Sequence, residues 1–421
     1  MKKKNKIPEL VSPAGDWCSL HSAVSSGCDS VYFGITGLNM RNLASNFDIL
    51  EIKKIIHTLH KERKRGFLAL NVIAYDKDLD KIKKILKEAK KSKVDGVILW
   101  DLGVFSLAKE LGLKIHLSTQ ASVSNFLALR DYYQLGARRF VLARELDLFE
   151  IRRIVSEIKK RKLKSEIEVF IHGAMCVSVS GRCFLSQYSF SKSANRGECL
   201  QPCRRKFSIK DIEGQSEYIL GEDYILSPKD LCTIDFIDDL IKSGVDAFKI
   251  EGRIRSPEYV RVVTSVYRRA IDSFFKDKLS KGLKEELKTE LNSVYNRGFS
   301  SGFYFGQPKE AISRNLEHKY EKVYIGEVLK FYKKINVAEI KVFNQELKKG
   351  QKVLFLGKNT PASFTTIGDI QINHEFVDKL RKGQVGGVKV PFLLKRNDKV
   401  FLWQKKKTIQ QTSYLGTSCN K

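Results

Sequence analysis

Five of the eight cysteines in this chain fall between positions 176 and 232: Cys176, Cys183, Cys199, Cys203 and Cys232. The first four read Cys-x6-Cys-x15-Cys-x3-Cys, and Cys232 follows after 28 more residues. Thiolates are soft metal ligands and redox groups, so clustered cysteines in a chain of cytosolic character point to metal or redox chemistry before disulfides. Structural zinc usually brings CxxC pairs, and the sequence has none. Irregular spacing with Gly, Ser and Arg in between suits an iron-sulfur cluster held in a loop. A zinc site and unligated buried thiols are the competing readings. Cys18 and Cys28, in or beside the first helix expected, read as core residues.

A second group is polar and stands at expected strand ends: Asn71, Asp101, Gln120, Arg144, His172, Glu251 and Arg253. Barrel geometry would gather them at one mouth, although each also suits a strand-end cap. Glu251-Gly252-Arg253 with Arg255 is more pointed, because an acid and two arginines beside a close-approach glycine can hold an anionic substrate bidentately. Protease-like signals are weaker. Gly298 to Gly302 matches GxSxG around Ser300, but in a loop ahead of a β region and not on a strand-to-helix elbow. His57, His60 and Glu62 resemble a metal pair on what reads as a solvated Lys-rich helix. His172 and Cys176 at i, i+4 could form a dyad, in competition with Cys176 as a metal ligand.

Short β-branched runs, each followed by an amphipathic segment, must position these groups. The strand runs are 9–12, 30–34, 67–72, 96–100, 114–117, 139–142, 167–171 and 247–250, and segments such as 49–64, 79–92, 126–135 and 148–161 carry apolar residues at i, i+3 and i+4. Eight βα units without a GxGxxG or Walker motif predict a TIM-like (β/α)8 barrel over 1–256 instead of an open doubly wound sheet. The long connection 172–246 is then a Cys-rich insertion at the C-terminal face, where barrel enzymes build their sites. Helices over 257–275 and 283–295 and a Gly-rich loop make up 257–319. Alternating runs over 320–405 predict a small C-terminal antiparallel β-barrel, and 406–421, with Cys419, reads as a disordered tail.

The chain of 421 residues carries 76 Lys and Arg against 48 Asp and Glu, a formal charge of +28. With 42% hydrophobic residues it is globular and large enough for a core without disulfide staples. The opening Met1-Lys2-Lys3-Lys4 lacks the hydrophobic stretch of a signal peptide and no membrane-spanning run occurs, so a cytoplasmic location is expected. So basic a surface favours a nucleic-acid partner, with a merely Lys-rich solvated surface as the bland alternative. Residues 321–407 hold 19 Lys and Arg against 8 Asp and Glu, a net of +11 in the small β-domain.

The run from Glu168 to Ser186, with His172, Gly173, Cys176, Gly181, Arg182 and Cys183, resembles the signature of the collagenase-like peptidase family U32. Pro13-Ala14-Gly15, Asp29 to Gly34, Ser118-Thr119-Gln120, Gly197 to Arg204, Ser227 to Leu231 and Lys249 to Pro257 are similar too. The resemblance spans essentially the whole chain. It implies an oxygen-sensitive 4Fe-4S cluster on Cys176, Cys183, Cys199 and Cys203, with Cys232 as the alternative fourth ligand. Length and a single C-terminal β-domain resemble the tRNA hydroxylation branch. That branch implies tRNA as partner, 5-hydroxyuridine at the wobble position as product, and prephenate as co-substrate and oxygen source. Within it His172, Glu251 and Arg253 are the catalytic candidates, and Asn71, Gln120, Arg144 and Arg255 the substrate-binding ones. A collagenase-like peptidase, an rRNA hydroxylation protein and a non-catalytic RNA-binding protein are the alternatives.

Overall fold

The computed structural model describes residues 6–42, 45–205, 209–210, 217–218, 226–306 and 318–406. The expected tail, with Cys419, lies outside the described residues from position 407 on. The chain divides into two compact units, Met1–His318 with Phe355–Ser363, and Lys319–Leu354 with Phe364–Lys421.

The first unit is built on eight strands: β1 (Glu9–Ala14), β2 (Ser30–Gly34), β3 (Arg65–Ala69), β4 (Gly96–Leu99), β5 (Ile115–Leu117), β6 (Ala137–Val141), β7 (Glu166–Gly173) and β8 (Ala247–Ile250). Each is parallel to the next, and β8 pairs with both β7 and β1, with Ala247 opposite Glu168 on one side and Glu9 on the other. The ring is therefore a closed TIM-like barrel. Its strands are nearly continuous apolar runs because a parallel sheet is covered on both faces. The helices supply the outer cover: Ile52–Lys61 buries Ile52, Ile55, Ile56 and Leu59, and Asp76–Lys91 buries Ile82, Ile85, Leu86 and Ala89. Both sets follow the i, i+3, i+4 stripe. The helix expected from position 49 opens with a 3-10 turn, Ile49–Glu51, capped by Asp48.

Barrel loops end in helix caps. Asp16, Asp101, Asn125 and Asp147 each accept a backbone N–H in the first turn of the helix that follows. Asp101, accepting from Gly103 at 2.9 Å and Val104 at 3.1 Å, is thus a cap and not part of the site.

Inside the barrel an apolar layer of Val11, Tyr32, Phe67, Ala69, Ile98 and Ala247 adjoins a buried ionic ladder. Arg139 on β6, fully buried, pairs with Glu9, with Glu166 at 2.6 Å and with Glu168 at 3.1 Å, and Glu168 also takes Lys249 on β8 at 2.7 Å. A buried charge is tolerated only when paired in this way.

After β7 the chain runs through 3-10 turns and the short helix Leu185–Phe190, then returns as a strand at Asp230–Cys232. That strand pairs antiparallel with β7 and parallel with Phe299–Ser300 of the Gly-rich loop. The helix Ile237–Ser243 leads into β8, so the end of the Cys-rich segment is barrel scaffold. Pro257–Phe275 follows β8 as its helix and packs on β1 and on the helix Trp17–Ser25.

In the second unit Tyr320–Tyr332 pairs antiparallel with Val337–Val342 and with Lys399–Lys405, and Val337–Val342 pairs with Val385–Lys389. The antiparallel β-character expected there is present. No helix among the described residues is long and apolar enough to cross a membrane.

Candidate functional site

At the C-terminal ends of the barrel strands lies a cavity of about 460 Å³, and Cys176, Cys183, Cys199 and Cys203 all line it. Two glycines seat the segment that carries them against the barrel. Gly173 has φ +104° and a Cβ there would stand 2.5 Å from the Glu251 carbonyl oxygen; Gly197 has φ +84° and its Cβ would meet the Asn39 carbonyl oxygen at 2.0 Å. Any side chain at either position would push the cysteine-bearing segment off the barrel mouth. The Cys176 thiol lies 3.0 Å from Ser178 Oγ, and the Cys183 sulfur accepts the Leu185 N–H at 3.3 Å. Burial raises the Cys203 thiol pKa, with Cys176 and Cys199 near enough to add to the rise and Arg204 and Arg297 opposing it.

Cys232 is elsewhere. It is buried against Tyr267, whose hydroxyl donates to its sulfur at 3.8 Å, and burial pushes its thiol up to about 11. It does not line the cavity, whereas Cys203 does. Burial pushes the thiols of half-buried Cys18 and fully buried Cys28 up to about 12, so neither is a reactive thiolate.

The polar candidates converge as barrel geometry requires. Asn71, Gln120, Arg144, Glu251, Arg253 and Arg255 line the same cavity. Asn71 and Gln120 spend much of their hydrogen bonding on the walls: Asn71 Oδ1 accepts from Met40 N at 3.3 Å, and Gln120 Nε2 donates to the Ser180 carbonyl at 3.3 Å. Arg144 donates one Nη to the Ala174 carbonyl at 2.9 Å and lies over the Phe170 ring at 4.7 Å, which leaves its Nε and second Nη buried without a partner. Arg253 donates to Asn39 Oδ1 at 2.7 Å, and its buried Nε has no partner. Burial pushes its guanidinium down to about 10. Unpaired buried donors of this kind are costly unless a ligand completes them.

His172 does not join this group. Its imidazole sits on the core side of β7 between Tyr259, Tyr267 and Phe299, with Nδ1 3.2 Å from the Tyr267 hydroxyl. Burial pushes it down to about 4, against the pull of Asp230, so it is neutral at physiological pH. No dyad with Cys176 forms, since Cys176 faces the cavity and His172 does not. His60 pairs with Asp95 at 2.9 Å on the surface, and Ser300 Oγ accepts from Gly302 N at 3.3 Å.

Sequence reasoning missed four cations that line the cavity: Arg41, Arg204, Lys249 and Arg297. Arg41 reaches from the loop after β2 to Glu251 at 3.0 Å. Burial pushes the Glu251 carboxyl up, but Arg41, Arg253 and Arg144 outweigh it and hold the group below the usual carboxylate range. Arg204 donates to the Met175 carbonyl and to Ser227 Oγ, both at 2.7 Å. Arg297 pairs with Asp230, which Arg255 also faces at 3.9 Å. Seven cations line the cavity against the carboxylates of Glu145 and Glu251, an excess of positive charge that favours anionic groups there. Arg41 carried no local sequence signal; the alternation of Lys249 with apolar neighbours on β8 was the one hint available.

Fold and site together define a (β/α)8 barrel protein with a cysteine-lined, cationic mouth. Residues 15–314 match the model of Peptidase family U32, and the chain belongs to that family. It is 42% identical over 409 residues to an uncharacterized protease of Methanocaldococcus jannaschii, covering 94% of this chain and 98% of that one. It is 35% identical over 411 residues to a collagenase of Porphyromonas gingivalis, again covering 94% and 98%. It is also 35% identical over 375 residues to tRNA hydroxylation protein P1 of Bacillus subtilis, covering 86% and 87%.

Proposed function

We propose that this protein is an RNA hydroxylation enzyme that converts the wobble uridine of tRNA to 5-hydroxyuridine, with a 4Fe-4S cluster on Cys176, Cys183, Cys199 and Cys203 and prephenate as the oxygen source. The observation that carries this reading is the convergence of four thiols on one cationic cavity at the barrel mouth. Among the described residues no three His, Cys, Asp or Glu side chains stand tightly enough together to hold a metal ion as they are. A single zinc with bonds of about 2.3 Å needs thiolates within roughly 4 Å of one another. Cys176, Cys183, Cys199 and Cys203, which line one cavity, are the thiols that would hold a multi-iron cluster, which normally takes four protein ligands. When bound, such a cluster supplies redox or Lewis-acid chemistry beside the substrate.

The chain's own residues do the rest. Replacing C5–H by C5–OH on a uracil is a two-electron oxidation in which the oxygen donor would be reduced as it gives up its oxygen and the hydrogen leaving C5 as a proton would return to the new hydroxyl; Glu251, ionised and with Oε1 held by Arg41, can carry that proton at Oε2. The free donors of Arg144 and Arg253 suit the carboxylates of a small co-substrate. His172, packed away from the cavity, orients β7 through Tyr267 and takes no proton from substrate. In the second unit Lys322, Lys399, Lys405, Tyr320, Tyr324 and Phe401 share one face of the sheet by register, with Glu327 beside Lys399 and Trp403 buried beneath Tyr320, a basic and aromatic surface of a type that binds RNA.

The test is nucleoside mass spectrometry of tRNA from cells lacking this protein. Loss of 5-hydroxyuridine derivatives, restored by wild type and not by Cys176→Ala, supports the reading. Unchanged tRNA with a missing hydroxylated rRNA base shifts the substrate to rRNA. The names of the two peptidase-like relatives favour a second reading, proteolysis; unchanged RNA with gelatin cleavage by purified protein would establish it.

A further inference from the structure

The short helix Leu185–Phe190 has two faces with different surroundings. Leu185 and Ser186 line the cavity, and Ser186 Oγ accepts the Leu200 N–H at 3.1 Å, so the helix is fixed to the cavity wall. Phe184 and Tyr188, at i and i+4, share the opposite face and point into solvent. They are 63% and 85% exposed, with ring centroids 6.1 Å apart and planes inclined at 50°. Phe184 lies in sequence between two cavity-lining residues, Cys183 and Leu185, so the pair is carried on the outer side of the segment that forms the cavity wall. Val177 and Val179 are also exposed and line the cavity, and Leu200 adds a further exposed apolar side chain.

Large aromatic side chains left mostly in water contribute little to folding. Grouped on the segment that walls the cavity, they mark an interaction surface. The charge around them selects the partner. Arg182, Lys192 and Arg205 are exposed on the same segment, and Glu198 is the one carboxylate in the sequence between positions 174 and 205. A polyanion with flat faces meets both demands, whereas a protein surface would need acidic and apolar groups in matching array.

We propose that Phe184 and Tyr188 form a stacking bracket for the nucleotides that flank the base entering the cavity, with Arg182, Lys192 and Arg205 on the adjoining phosphates. This rests on the RNA reading above. An inclined pair of rings cannot sandwich one base. It suits a strand that turns between two nucleotides, the shape a single-stranded loop adopts when one base is splayed out.

The experiment uses anaerobically purified, iron-loaded full chain with two probes, bulk tRNA and a seven-nucleotide uridine-containing RNA single strand. Phe184→Ala with Tyr188→Ala is expected to weaken binding of the heptamer by roughly five-fold or more per ring. Iron content, melting temperature and the slope of log affinity against log salt should stay at wild-type values, because stacking releases no counterions. Tyr188→Trp should bind at least as tightly as wild type, and Tyr188→Phe should bind equally. Replacing Arg182, Lys192 and Arg205 by Gln should instead flatten the salt slope. If wild type binds both probes and the double alanine variant binds them equally well, the bracket is refuted while the RNA reading stands. If that variant loses a protein partner instead, the rim is a protein dock and the bracket is again refuted. If wild type binds neither probe, the RNA reading falls and the bracket with it.

Discussion

The Arg41 guanidinium meets the Glu251 carboxylate at 3.0 Å and ties the loop after β2 to the end of β8 across the cavity. It is one of three cations that hold the Glu251 carboxyl ionised in spite of burial. Arg41→Ala should raise the Glu251 pKa and cut hydroxylation strongly, with a loss of stability of about 1–3 kcal/mol. Arg41→Lys should recover only part of the activity, because the planar two-point fork is lost. Single-turnover assays against pH would show the changed ionisation as a shifted acidic limb.

Anaerobic protein should be brown and bleach with dithionite. Ala at Cys176, Cys183, Cys199 or Cys203 should remove the iron, whereas Cys232→Ala should keep it, because Cys232 faces Tyr267 and not the cavity. Iron and sulfide analysis decides. Stoichiometric zinc in colourless protein, or iron lost only with Cys232→Ala, would overturn the ligand set.

His172 makes folding stability depend on pH in a known direction. Its folded pKa, about 4, is below an unfolded value near 6.5, so the unfolded chain binds the extra proton between these limits. Stability is full above about pH 6.5 and falls as pH drops toward 4, by up to about 3 kcal/mol from this group. His172→Phe should flatten that slope in urea titrations between pH 4 and 6.5, at some cost from the lost Tyr267 contact.

Arg139 balances Glu9, Glu166 and Glu168 inside the barrel. Arg139→Met leaves buried carboxylates without their main partner and should destabilise the barrel by about 3–5 kcal/mol. Thermal unfolding measures this directly. A variant that also removes the buried carboxylates should recover part of the loss.

Binding of tRNA should weaken steeply with salt, each phosphate contact adding about 0.9 or less to the log-log slope. Gln at Lys341, Lys399 and Lys405, which share a sheet face in the second unit, should reduce the slope without changing iron content. An unchanged slope would remove that face from the RNA interface.

The barrel was legible in the sequence because every βα unit announces itself locally. An apolar run followed by a 3.6-residue stripe needs no distant information, and β2 and β8 were read to the residue. The identity of the site followed from the same rule, since residues just after barrel strands must meet at one end. That is why Asn71, Gln120, Arg144, Glu251, Arg253 and Arg255 were found. Side-chain direction was not legible. His172 on β7 and Cys176 just after it are near neighbours in sequence, yet one faces the core and the other the cavity, because the strand ends at Gly173, whose positive φ turns the chain and breaks the alternation that would relate the two side chains. Asp101 looked like a site residue and is a helix cap, a choice fixed by where the next N–H groups point. Pairings across the barrel were out of reach altogether. Arg41 with Glu251 spans 210 positions and Arg139 with Glu9 spans 130, and no local pattern encodes a contact that exists only once the ring has closed. The sequence alone determined which chemistry was available and at which end of the barrel. The tertiary structure decided which groups share the cavity, because burial and long-range ion pairing exist only in the folded chain.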